Sequence, residues 1–268
     1  MISLEIKNDI RLSYDEYVLL MELLGAKDIH GTFITDNYMN ITSDSIEKIW
    51  ASCQKTLTDK GYITIKNDAV DFNIALYYIL KQCIDSEKVF NVQMAKNGKS
   101  MLDTLYYINN GVPFSVKNDN SNKEVIISIR SKKSVCATLK KHIDDMNFNT
   151  DSFANAQIEL NEHDYISVLA NINVGNVKKV KSLLPDNLSQ DDIESLTASI
   201  SAGAFNISIT EYLDDADSIY TFISDGKNIW SVYSDDEKDV IVFEKINPSD
   251  ISSLFDKLFG NNGGIQND

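Results

Sequence analysis

Three histidines, three cysteines and several adjacent aspartates are the side chains in this sequence suited to binding a metal, attacking a carbonyl or moving protons. His30, His142 and His163 lie far apart, and no His-x-x-x-His or Cys-x-x-Cys spacing puts two ligands on one helical face or loop. Cys53, Cys83 and Cys136 are scattered and odd in number, so they read as small buried apolar residues rather than a disulfide framework. Asp191-Asp192, Asp214-Asp215 and Asp235-Asp236 have the composition of carboxylate pairs for acid–base work. They fall at a helix start or in loops, where Asp caps and turns the backbone, and are assigned to solvated structure. With no glycine loop to cradle a phosphate either, the expectation is a non-enzymatic protein without cofactor or metal, whose working part is surface.

The elements that present that surface are written twice. Phe90-Asn91-Val92 returns as Phe205-Asn206-Ile207, an offset of 205 − 90 = 115, and Leu105 to Gly111 returns as Tyr220 to Gly226 at the same offset. Phe114-Ser115-Val116 returns as Trp230-Ser231-Val232 (230 − 114 = 116), and Val125-Ile126-Ile127 as Val240-Ile241-Val242. β-Branched and aromatic segments broken by Asn, Asp, Gly and Lys predict antiparallel meanders, with strands near 88–95, 102–108, 112–117 and 124–130, then 204–211, 218–224, 228–234 and 239–245. Asn110-Gly111 and Asp225-Gly226 tolerate the positive φ of a tight hairpin, so the second and third strands of each copy should pair.

A closing helix follows each meander. Val135, Leu139, His142 and Ile143 space as one face, and Ile251, Leu254, Phe255, Leu258 and Phe259 as the other; His142 matches Leu258, a packing position. Upstream, Tyr77, Leu80 and Ile84 are matched by Ile193, Leu196 and Ile200. The fold class is therefore α+β and internally duplicated, two pseudo-symmetric halves each with helices, an antiparallel β-meander and a closing helix. The halves are placed at 1–143 and 159–260, with a link at 144–158 and a disordered tail at 261–268.

Within the first half, Ile2, Leu4 and Ile6 alternate as a short strand, and Ser13 with Glu16 forms a capping box ahead of a helix closed by Gly25. A second helix starts at Ser43, Gly61 to Ile65 reads as a strand, and Val70 to Ile84 as a third helix. Helix, Gly-Tyr-Ile and β-ribbon make a weak winged-helix pattern. Its would-be recognition helix sets Lys48, Lys55 and Lys60 against Asp44, Glu47 and Asp59, which does not suit DNA. In the second half helices are expected at Glu162 to Ile172, Val174 to Leu184, and from the Ser189 cap to Gly203.

Forty acidic residues against 25 basic ones, a net charge of −15, exclude the clustered Lys and Arg that nucleic acid or an anionic membrane needs. The chain opens without an apolar leader and holds no span of membrane length, so it is expected in the cytoplasm, without membrane insertion.

Leu12 to Tyr17 leading to Leu23-Leu24-Gly25, Gly61-Tyr62-Ile63 before a long helix, Ser86 to Phe90 opening a strand, Gly203-Ala204-Phe205, and Pro248 with Leu254-Phe255 together resemble the EspG family. These are cytosolic secretion-associated proteins of ESX, or type VII, secretion systems, and the resemblance runs over nearly the whole chain, pseudo-twofold included. It implies an adaptor or chaperone that holds helical substrates before export; the family's clients are PE–PPE heterodimers. The Asn-, Lys- and Ile-rich composition suggests a low-GC, Firmicutes-type source, for which WXG100-like or LXG-type helical substrates are the expected partners. The resemblance puts client contact at the hairpin between the second and third strands. The candidate partner-binding residues are Asn109 and Asn110, their repeat counterparts Ser224 and Asp225, and the aromatic Tyr212. An immunity protein that neutralises a secreted toxin is the alternative, and a winged-helix DNA-binding regulator a more distant one.

Overall fold

The computed structural model describes residues 9–31, 42–67, 69–146, 148, 156–202, 204–213 and 217–259. The expected strand at Ile2 to Ile6, most of the 144–158 link, Asp214-Asp215 and the 261–268 tail lie outside the described residues. The fold is α+β, and the described strands pair antiparallel. Two compact units are formed, one from residues 1–91 and 103–131, the other from 92–102 and 132–268.

The first unit begins with β1 (Ile10–Ser13), which runs directly into α1 (Tyr14–Leu23). The capping box is as expected: Ser13 Oγ accepts from the Glu16 N–H at 3.1 Å, and Glu16 Oε2 accepts from the Ser13 N–H at 2.8 Å. α2 (Ser43–Asp59) leads into a two-stranded hairpin, β2 (Ile63–Lys66) with β3 (Ala69–Phe72), and then α3 (Ile74–Ile84). The third helix thus starts later than Val70, because Val70 and Phe72 alternate along β3. Asn73 then caps the helix by accepting from Ala75 N and Leu76 N. β4 (Lys88–Lys96) and β5 (Lys99–Asn109) follow, their residues 92–102 falling in the second unit; β5 pairs with β6 (Val112–Asp119), β6 with β7 (Glu124–Ile129), and β7 with β1. Leu12, Tyr17, Leu20, Leu57, Leu80, Phe90, Tyr107 and Ile127 are among the residues buried in this unit.

In the second unit α4 (Lys132–Asp145) packs with α8 (Pro248–Phe259), burying Val135, Leu139, Ile251 and Phe255; Lys140 Nζ reaches Asp256 Oδ2 at 2.7 Å. β8 (Gln157–Leu160) leads into α5 (Glu162–Asn173), and after Gly175 comes a single turn, α6 (Val177–Lys181). The expected helix from Val174 is shortened because Gly175, at φ 70°, turns the chain and Asn176 caps the new start. α7 (Gln190–Ala202) precedes β9 (Phe205–Tyr212), β10 (Ser218–Ser224), β11 (Ile229–Asp235) and β12 (Val240–Ile246), with β8 paired to β12. One face of this sheet buries Ile158, Leu160, Trp230 and Phe243 against Val168, Ile172, Val180, Leu184, Ile193 and Leu196 of the α5–α7 region.

The run of β1, helices α1–α3 and the strands to β7 recurs in kind as β8, helices α5–α7 and the strands to β12, and in each run the first strand pairs with the last. The registers refine the sequence match. Tyr107 pairs with Phe114 and touches α1 through Tyr17, while Ile223 pairs with Trp230, which touches α7 through Ser195. Both members of the helix-facing pair recur at 116 (223 − 107 and 230 − 114), so the 115 match along β10 is one residue out of structural register. A one-residue slip turns a strand's side chains to the other face.

Candidate functional site

The tip of the β5–β6 hairpin follows from backbone conformation. Asn109 and Val112 are its last pair, and Asn110 (φ 48°) with Gly111 (φ 71°) makes the two-residue turn whose twist suits the strands. Asn109 is buried and its Oδ1 accepts from Asn110 Nδ2 at 3.0 Å. Asn110 is exposed, and its backbone N–H donates to Glu87 Oε1 at 3.3 Å. Of the two, Asn109 builds the turn and Asn110 meets solvent.

Ser224 and Asp225 are builders too. Ser224, 1 % exposed, donates from Oγ to Asn228 O at 2.5 Å and accepts from Gly226 N at 2.9 Å. Asp225 Oδ1 accepts from Lys227 N at 2.8 Å and Asn228 N at 2.7 Å. The ladder ends at Ser224 with Ile229, so the connection is a four-residue loop closed by side-chain bonds, not the tight Asp-Gly hairpin expected. Tyr212 ends β9 and is half-buried. Since Glu211 pairs with Ser218 and Phe205 with Ser224, Tyr212 and Ser224-Asp225 stand at opposite ends of the β9–β10 ladder.

Other surfaces carry more exposed apolar area. On α3, Leu76, Ile79, Leu80 and Cys83 form the buried face, which leaves Ile74 83 % exposed and Tyr77 and Tyr78 nearly half exposed. Tyr77 stands edge-on to Phe72 of β3, ring centroids 6.4 Å apart. The expected face of Tyr77, Leu80 and Ile84 was thus rotated; a run of Tyr77-Tyr78-Ile79 already holds more apolar bulk than one face can bury. Of the strand aromatics, Tyr106, Tyr107 and Phe222 are core, Tyr212 and Tyr220 are half-buried, and Tyr233 is exposed.

The ionisable groups inside are structural. Glu16, 2 % exposed, accepts from Lys60 Nζ at 2.6 Å, Thr56 Oγ1 at 2.8 Å and Ser13 N, joining β1, α1 and the end of α2. With Lys60 so engaged and Lys55 paired to Asp59, the winged-helix-like segment keeps little positive charge for DNA. In the second unit Lys245 Nζ lies 3.0 Å from Asp192 Oδ1, and Asp192 Oδ2 accepts from Ser189 Oγ at 2.5 Å. Burial pushes the Asp192 carboxyl up, but the Ser189 hydroxyl and the Lys245 ammonium pull harder, and the net lies below its ordinary value. Burial pushes the Cys83 thiol far up, and raises Cys53 and Cys136 as well, so all three are protonated, poor nucleophiles at neutral pH. Burial, with Tyr107 close at 3.2 Å, likewise raises Tyr17. No group of His, Cys, Asp and Glu side chains suited to a metal ion occurs among the described residues, and His142 is half-buried with an unpartnered Nδ1. No helix among them is long and apolar enough to cross a membrane.

These observations define an α+β protein of antiparallel meanders sheathed by short capped helices, its polar interior spent on turns and caps. No family model and no curated protein matches the chain. Among solved structures it is similar to the Mycobacterium tuberculosis type VII secretion system chaperone EspG5, in complex with a PE25–PPE41 dimer. The TM-score is 0.63 over 96 % of this chain and 98 % of that chain, at 10 % sequence identity. At that identity the likeness is one of fold.

Proposed function

We propose that this protein is a non-enzymatic adaptor or chaperone that holds a helical type VII secretion substrate in the cytoplasm before export. The observation that carries the reading is the shared fold: nearly the full length of both chains aligns, and the protein on the other side is a chaperone held in a complex with a PE–PPE dimer. The expected substrates are WXG100-like or LXG-type helical proteins, and the two units are read as an internal duplication, supported by their common element order and the 116-residue recurrence of the helix-facing pairs (230 − 114). The contact surface is proposed to include the exposed Asn110 of the first hairpin, with Asn109 holding its turn. Ser224 and Asp225 shape the corresponding loop of the second unit, and Tyr212 flanks the other end of that ladder.

The test is co-expression of the tagged full chain with helical secretion substrates encoded beside it, followed by size-exclusion chromatography. A stoichiometric complex with the helical targeting region supports the reading. Binding only to a toxin domain, with loss of its activity, replaces it with the immunity alternative; retention of duplex DNA alone replaces it with the winged-helix one.

A further inference from the structure

α5 is apolar on two sides. Val168 and Ile172 enter the core beside Leu184, Trp230 and Phe243, as the inward stripe of a surface helix should. On the outside, Ile166, Ala170 and Val174 follow one another at i, i+4 and i+8, a ridge where a solvated helix carries polar groups. Ile166 is 56 % exposed, Val174 76 %, and Val177 at the start of α6 44 %; Ala170 is exposed between them.

Positive charge borders this ridge. Lys178, Lys179 and Lys181 lie within about one helical turn, and no acidic residue occurs from Tyr165 to Pro185, in a chain with 40 acidic residues to 25 basic. Lys181 reaches Gln190 Oε1 at 2.9 Å, whereas no ion pair among the described residues engages Lys178 or Lys179. The lysines are held in place: Val180 between them is fully buried, and Asn176 Oδ1 accepts from the Lys179 N–H at 3.3 Å.

We infer that this ridge with its lysine border docks a protein segment of complementary make-up, an amphipathic helix whose apolar stripe is edged by Glu and Asp. Charge complementarity selects that occupant. A short acidic helix meets two lysines within the ~8 Å screening distance of physiological salt, while the extended charge of a nucleic acid or anionic bilayer also meets the field of a chain at −15. Apolar contact supplies the affinity and the lysines the register and choice of partner. The inference rests on the reading that the chain holds a protein partner, and adds a place and a chemistry.

The full chain is titrated into a labelled synthetic peptide with a leucine stripe edged by glutamates, and into its twin with lysines for the glutamates, at low and high salt. The glutamate peptide is expected to bind better, less so at high salt. K178E/K179E should weaken it about tenfold and turn the preference toward the lysine twin, while V174N weakens both peptides. Circular dichroism of each variant confirms an unchanged fold, which these exposed positions should allow. Equal binding of the two peptides, or unchanged affinity in K178E/K179E, overturns the inference; so does tighter binding of duplex DNA or phosphatidylglycerol vesicles lost in the same variant. If a secretion substrate binds V174N and K178E/K179E as it binds the native chain, this surface is wrong and the proposed function stands. If the peptide results hold and no such substrate binds, the reverse is true.

Discussion

Replacing Asp192 by alanine should destabilise the second unit more than replacing its partner Lys245 by methionine, although both remove the same 3.0 Å ion pair. The Lys245 side chain is 9 % exposed and that of Asp192 12 %, so neither has ready access to water. Asp192→Ala leaves an ammonium buried without its carboxylate and removes the Ser189 hydroxyl's acceptor at the start of α7, together about 3–4 kcal/mol. Lys245→Met leaves a carboxylate that still accepts from Ser189 Oγ at 2.5 Å and sits in the first turn of α7, where the helix dipole favours it, so the loss is about 1–2 kcal/mol. The double change Asp192→Leu with Lys245→Met puts apolar groups in both places and should recover much of the single Asp192→Ala loss. Urea unfolding followed by tryptophan fluorescence reads this directly, since Trp230 is fully buried in the same unit and donates to Ser195 of α7 at 3.1 Å. Because the folded-state value of Asp192 lies below its ordinary one, the folded chain binds fewer protons between the two values. The pair's stabilisation is therefore present above the ordinary carboxylate range and lost as pH falls through the folded value; Lys245→Met should flatten that acid dependence. Equal losses for the two single changes, or additive loss in the double, would refute the reasoning.

Glu16→Ala should lower the stability of the first unit by about 3 kcal/mol, because it removes the buried carboxylate that Lys60, Thr56 and Ser13 donate to and leaves those donors unmet; a loss in urea unfolding free energy below a third of that would mean the site relaxes. Asn110→Arg places a longer side chain at φ 48° and should cost about 1–2 kcal/mol while leaving the chain folded, with weaker binding of a co-purifying substrate if the hairpin touches it; unchanged affinity removes that tip from the contact surface. With an aromatic disulfide reagent, Cys136 should react first, and Cys83, fully buried and with its thiol pushed up, only at the rate of unfolding; rapid labelling of Cys83 in the native chain would contradict its burial.

The features legible in the sequence were those fixed by near neighbours. Ser13 with Glu16 and Ser189 ahead of Asp192 each cap a helix as their spacing says, and Asn110-Gly111 makes the hairpin its dihedral tolerance allows. What was missed depends on distant partners. β1 and β8, four residues each, owe their extended form to β7 and β12, and four residues are too few for a period to stand out. The connection at Ser224 and Asp225 differs for a local reason: Asp225-Gly226 suits a tight hairpin, but the N–H groups of Gly226, Lys227 and Asn228 bond to the Ser224 and Asp225 side chains and hold a four-residue loop. The outer ridge of α5 was present as Ile166, Ala170 and Val174, but the sequence could not say which of two apolar stripes the core would take.

The register difference between the units has an energetic consequence. Spaced by 116, Leu105 corresponds to Thr221 and Tyr107 to Ile223, and the strand neighbours Val116 and Val232 also correspond (221 − 105, 223 − 107, 232 − 116). On the helix-facing side, then, the first unit fills its second meander strand with a buried Leu and Tyr, while the second unit has a half-buried Thr and Ile and, two residues earlier, Ile219 at 57 % exposure. Less apolar area is buried there, and local opening free energy falls with buried apolar contact. Amides of Thr221 to Ile223 in β10, which pair with both β9 and β11, should exchange with solvent deuterium faster than those of Leu105 to Tyr107, their counterparts at 116 in β5, a strand also paired on both sides. Equal protection would mean that backbone pairing alone sets stability in these meanders. Faster exchange would mean that side-chain burial, added to backbone pairing, sets which of the two meanders opens first.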